Sequence, residues 1–161
     1  MLARLLPPSF GRDFSGLAAA RWLLLPLAVV KLLMGVNAAV LTRMVATRAD
    51  GLPLERYGEG AANNILALLA AWGVGQALLT ALGLLAVFRY RAMIPLIYLL
   101  LLVEQLARKL IYLQHPVVRS TAGSGGLSTA TIINTALLAL LALGFVLSLW
   151  PRSAETSKSV A

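Results

Sequence analysis

Lys31, Gln76, Glu104, Gln105, Arg108, Lys109 and Asn134 stand inside long apolar stretches of a 161-residue chain. A charge near the centre of a bilayer costs about 2.5–3.5 kcal/mol on the insertion scale, so such residues point to a function or to a specific packing role. Lys31 and Arg108 suit a ligand carrying an anionic or carbonyl group, with Glu104 holding the cations in place. Glu104 alone could serve as an acid or base. The structural alternative is a Lys31–Glu104 ion pair that fixes helix packing.

Counting from the block ends gives each residue a depth. Lys31 is nine residues beyond Trp22, roughly 14 Å at 1.5 Å per residue. Glu104 is eleven residues beyond Met93, roughly 16 Å from the same interface. Gln76, twelve residues from Phe88, shares that level. Asn37, Arg108 and Asn134 define a second level, fifteen, fifteen and sixteen residues in. The expectation is a two-layer polar core with Lys31–Glu104 at its centre. On a helical wheel Tyr98, Glu104, Gln105, Arg108, Lys109 and Tyr112 fit an arc of about 140°. Leu99, Leu100, Val103, Leu106, Ala107, Leu110 and Ile111 fill the complementary arc, which faces lipid. The candidate polar core, read as ligand-binding or structural, is Lys31, Glu104, Arg108, Gln76, Asn134 and Tyr98.

Four apolar blocks must carry these residues. They run over 22–42, 64–88, 93–113 and 130–150, each near the length of about 20 residues that crosses a bilayer. Polar tails cover 1–14 and 151–161. The composition agrees: 60% apolar, 12% charged, mean hydropathy +0.85. A soluble domain is about 25% charged. The predicted fold is all-α: one polytopic membrane domain over 1–161, a bundle of four transmembrane helices. Pro26 bends the first block, Pro95 fits a first turn and Pro151 stops the last block. Ser15 and Asn63-Asn64 are candidate caps. Residues 89–92 make a tight hairpin turn, and the glycine-rich 120–126 a loop. Gly35 and Ala38, and Gly73, Ala77 and Ala81, offer small surfaces for close helix approach. The openings Asn64-Ile-Leu-Ala-Leu-Leu and Asn134-Thr-Ala-Leu-Leu-Ala suggest a duplicated hairpin.

The net charge of +8 comes from residues at block ends, not from a basic stripe, so headgroup anchoring fits and nucleic acid does not. Arg4, Arg12, Arg21, Arg89, Arg91, Arg152 and Lys158 fall on one side. Arg43, Arg48, Arg56 and Arg119 fall on the other, with Arg108 and Lys109 near it. The bias places both termini in the cytoplasm of a bacterial inner membrane. No cysteine and a single histidine, His115, exclude thiol chemistry and a zinc site built by this chain alone, and no metal-ligand spacing is present. No catalytic pair, phosphate loop or cofactor motif is present.

Arg21 entering a first span that holds Gly35, a second span with Gly73 and Gly83 that ends Phe88-Arg-Tyr-Arg, and a third span with a buried polar group together resemble the DoxX-like membrane proteins. The resemblance covers about 22–150. It implies a four-span fold in a functionally mixed family, some members of which accompany quinone-linked oxidoreductases. It assigns no functional residue.

Three readings remain open. The leading one is a non-catalytic membrane protein that binds a lipid or small amphiphile between its helices, or an accessory subunit of a larger membrane complex. The second is a small proton-coupled or solute transporter acting as a homo-oligomer. The third is a membrane enzyme using Glu104.

Overall fold

A computed structural model describes residues 11, 14–117, 119 and 129–151. The glycine-rich 120–126 and the terminal tails, except Gly11, Phe14 and Pro151, lie outside them. The described chain is helical, with no strand among the described residues. Four long helices dominate: α1 (Ala18–Val40), α2 (Glu59–Phe88), α3 (Ile94–Gln114) and α4 (Thr129–Leu149). Three have membrane-spanning length and apolarity: Ala18–Val40, Glu59–Phe88 and Ala130–Leu149. α3 is not among them, because Glu104, Arg108 and Lys109 all fall in its second half.

The ends of the helices differ from the sequence expectation. α1 starts at Ala18, and Leu17 caps it without a side-chain hydrogen bond, so Ser15 is not its cap. Pro26 is absorbed within α1, which continues on both sides of it. α2 begins at Glu59 with Gly58 as its cap, which puts Asn63 and Asn64 inside the helix rather than at its start. At 1.5 Å per residue its 30 residues reach about 45 Å, longer than a hydrocarbon core of about 30 Å. The exposed Asn63 and Asn64 therefore belong to an extension of the span.

Between α1 and α2 the chain makes a helical turn (Thr42–Met44), a π-helical turn (Val45–Ala49) and a 3-10 turn (Leu54–Arg56). Gly51 sits between them at φ +68°, where a Cβ would be strained, and reverses the chain. Leu52 N–H then donates to Ala46 O at 2.8 Å, folding the linker back on itself. A 3-10 turn at Arg91–Met93 joins α2 to α3.

α1 packs most extensively along α2, and α3 along α4, while α2 and α3 touch much less. The α1–α2 crossing is built on glycine. A Cβ on Gly35 would lie 2.8 Å from Ala77 N, and one on Gly73 would lie 2.7 Å from Ala39 N. Backbones therefore meet directly, as small-residue surfaces allow. Ala81 is exposed and takes no part. The apolar core lies toward the α2–α3 turn, formed by Leu24, Leu27, Val87, Ile94, Ile97, Leu101 and their neighbours. The polar residues gather in the opposite half.

Candidate functional site

α1 delivers Lys31 into the interior from the turn preceding Gly35, so the glycine crossing fixes its position. The side chain has no exposed surface. Its Nζ donates to Glu104 Oε2 at 2.8 Å and to Gln105 Oε1 at 3.0 Å. An ammonium buried this completely needs such acceptors, since desolvation without them costs several kcal/mol. Gln76 on α2 donates its Nε2 to the Lys31 carbonyl at 3.2 Å, and its buried Oε1 has no hydrogen-bond partner.

Gln105 is the hub of the network. Its Oε1 accepts from both Lys31 and Arg108 Nη2. Its Nε2 donates to Asn134 Oδ1 at 3.0 Å and to Asn134 O at 3.2 Å. Arg108 Nη2 also reaches Asn134 Oδ1 at 3.3 Å. Asn134 Nδ2 donates to Ala130 O at 2.8 Å, one turn back along α4. One chain of side chains thus links α1, α3 and α4. Because Gln105 can donate and accept at once, it joins a cation to an amide where a second charge would repel one of them.

Glu104 and Arg108 lie one turn apart on α3. Glu104 Oε1 is 3.8 Å from Arg108 Nε, an ionic approach too long for a hydrogen bond, and this oxygen has no hydrogen-bond donor. The guanidinium stacks over the Trp72 ring of α2 at 4.8 Å. Arg108 is therefore held by an indole, two amides and a carboxylate, and it points inward instead of extending to the interface.

Two cavities flank it. The larger, of about 750 Å³, opens between α2 and α3. Leu68, Leu69, Trp72, Ala107 and Ile111 form its apolar walls, and Asp50, Glu104, Arg108 and Arg119 its charged end. The smaller, of about 210 Å³, lies between α3 and α4. Arg108, Tyr112 and Arg119 border both. Asp50 comes from the α1–α2 linker. Burial pushes its carboxyl above the usual carboxylate range, and the nearby Arg119 and Arg108 pull it partly back.

The structure thus brings together Lys31, Glu104, Arg108, Gln76 and Asn134. It does not bring in Tyr98, which is fully buried but donates its hydroxyl to Ala20 O at 2.7 Å. The ring lies against Gly144, where a Cβ would collide with it. Tyr98 is a packing knob between α1, α3 and α4. Asn37 is exposed and leaves the second polar layer. The Asn64/Asn134 echo also separates, because Asn64 is exposed on α2 while Asn134 belongs to the network.

Sequence reasoning placed Gln105 on the polar arc without giving it a role, and it missed Trp72. The signal for Gln105 was its wheel angle close to Tyr98 and Lys109. Trp72 carried none, since one indole in an apolar helix reads as core.

Fold and site define a helical protein with three apolar helices of membrane-spanning length around a buried ionic network. Comparison with protein-family models, curated proteins and solved structures returns no match.

Proposed function

We propose that this chain is a four-span membrane protein that binds a small amphiphile with an uncharged, carbonyl-bearing head in the cavity between α2 and α3. The observation that carries this reading is the cavity itself: about 750 Å³, apolar along its walls and bordered at its charged end by a held guanidinium. Its ionisable lining is balanced, Asp50 and Glu104 against Arg108 and Arg119. A charged head would upset that balance, whereas a carbonyl oxygen accepts from Arg108 without doing so. Ligand sites of this size and polarity pattern are typical for small molecules.

Three features support α3 as the fourth span. It has 21 residues, enough for the hydrocarbon core. Leu100, Val103, Leu106 and Leu110 are exposed, as a lipid-facing stripe requires. Its Glu104 is paired with a cation from another apolar helix. Four spans put both termini on the side of the Arg89–Ala92 turn, which is cytoplasmic by its Arg and Lys content. The natural lack of cysteine makes this testable: a cysteine replacing Ala92 will label from the cytoplasm, and labelling from outside would reverse the topology.

Binding can be read from Trp72, which lines the cavity. In a Trp22→Phe/Trp150→Phe background, a brominated monoacylglycerol will quench its fluorescence saturably. Ala107→Phe, which puts a ring into the cavity across from Trp72, will abolish the saturable component. Quenching that grows without saturation and ignores Ala107→Phe would reject the reading.

A further inference from the structure

The cavity between α2 and α3 opens on its outer side. Leu68 on α2 and Ala107 and Ile111 on α3 line it, yet all three are exposed. Leu68 is 73% exposed and Ile111 53%, so each faces outward as well as into the cavity. Residues that do both stand at the rim of an opening. On α3 the rim runs into an apolar outer surface, because Val103 and Leu110, one turn before and after Ala107, are exposed as well. On α2 the exposed Leu82, about four turns beyond Leu68, lies on the same face.

The other two approaches suit an amphiphile less. At the end by the α2–α3 turn the apolar core is packed. The chain before α1 also crosses that end: Ala92 N–H donates to Gly11 O and Leu17 N–H to Leu147 O, both at 3.3 Å. At the opposite end the cavity is bordered by Asp50, Leu52, Val117 and Arg119. A tail drawn in past these charges would leave lipid, cross water and desolvate ionised groups, and each step costs free energy. A tail that passes between Leu68 and Ile111 meets apolar surroundings on both sides of the rim.

We propose that the gap between Leu68 and Ile111 is a lateral portal through which a single-chain lipid enters from the surrounding bilayer, its head moving to Arg108 while its tail stays between α2 and α3 in contact with lipid. The inference rests on the amphiphile reading and deepens it: the ligand is a resident of the bilayer, not a solute taken from water. The site then recognises the head and the first carbons of the tail, and the rim sets the rate of entry.

The test uses the full chain in phosphatidylcholine vesicles, in the Trp22→Phe/Trp150→Phe background, with brominated monoacylglycerols as probes and the onset of Trp72 quenching followed in stopped flow. The chain has no native cysteine, so Leu68→Cys, Ile111→Cys and Val117→Cys can be made one at a time. Each is compared with itself before and after a benzyl group is attached through a thiosulfonate, in detergent, ahead of reconstitution. The group at Leu68 or at Ile111 will slow the onset about tenfold. Its removal by a reductant will restore the rate, as a protein that has stayed folded requires. At Val117 the same group will slow the onset less. Myristoyl and stearoyl probes at equal mole fraction in the membrane will bind within about twofold of each other, because both tails remain in lipid. An onset unchanged by both rim labels, a larger slowing at Val117, or an about tenfold preference for one tail overturns the portal and leaves the amphiphile reading standing. If no unlabelled protein shows saturable quenching, the amphiphile reading itself falls, and the portal with it.

Discussion

Trp72 and Gly73 are consecutive residues of α2, and they face opposite kinds of contact. At Gly73 the backbone of α2 touches that of α1, with no room for a methyl group. At Trp72 an indole and the Arg108 guanidinium hold α2 away from α3, beside a cavity of about 750 Å³. One turn of helix thus carries both a backbone-to-backbone seam and a wide gap. Stability is concentrated in the α1–α2 pair and the apolar core beyond it. The gap on the other face is kept open by charge. The lesson is that the polar network works as a spacer as well as a set of bonds: with apolar side chains in place of Glu104 and Arg108, α3 could close on α2.

The strongest challenge to this contrast is to unpair the network. Lys31→Met leaves Glu104 Oε2 without its donor and removes one of the two donors to Gln105 Oε1. Breaking a buried pair on one side costs about 3–5 kcal/mol. The double variant Lys31→Met/Glu104→Gln removes both charges and will recover most of that loss in thermal unfolding. If the single and double variants unfold alike, the pair does not hold the helices.

The glycine seam gives the next largest effect. Gly73→Val forces a branched side chain against Ala39 N and Gly35 O, and overpacking of this kind costs about 1–3 kcal/mol. Gly75→Val is the control, since nothing lies within 4 Å of a Cβ there. Equal stability of the two variants would erase the difference between the faces of α2. A smaller effect belongs to Tyr98→Phe, which keeps the ring on Gly144 and loses the bond to Ala20 O, about 0.5–1.5 kcal/mol. Because Tyr98 lies in the packed half, ligand quenching of Trp72 will not change.

Much of this division was legible in the sequence, and the reasons are physical. Lys31 and Glu104 could be matched because depth in a membrane is a count of residues from an interface, and opposite charges at one depth seek each other. The exposed apolar stripe of α3 followed from helical periodicity. Gly35 and Gly73 were visible as small residues, though their partners were not. What could not be read depends on contacts between helices. Asn37 has the right depth but the wrong azimuth, since depth says nothing of which way a side chain faces. Tyr98 has the right azimuth but finds a backbone carbonyl that no pattern announces. Gln105 carries no charge and so attracted less notice than its neighbours, yet it bonds to both α1 and α4. The larger cavity exists only once α2 and α3 diverge.

The finest test concerns Asp50, at the charged mouth of the gap. Its carboxyl is raised above its ordinary value of 3.8 by burial, with Arg119 and Arg108 offsetting part of the rise. A raised acid binds its proton more tightly in the folded chain than in the unfolded one. The folded state therefore loses stability as pH climbs from the unfolded value through the folded one, and carries that penalty above it. Asp50→Asn removes the penalty, so the variant will unfold at a higher temperature than the wild type at pH 7. The difference will shrink as pH falls and vanish below the ordinary aspartate range, where both states of the wild type are protonated. A variant less stable at pH 7 would mean that the arginines outweigh burial, and that the mouth of the cavity is held by an ion pair like the Lys31–Glu104 pair deeper in the helices.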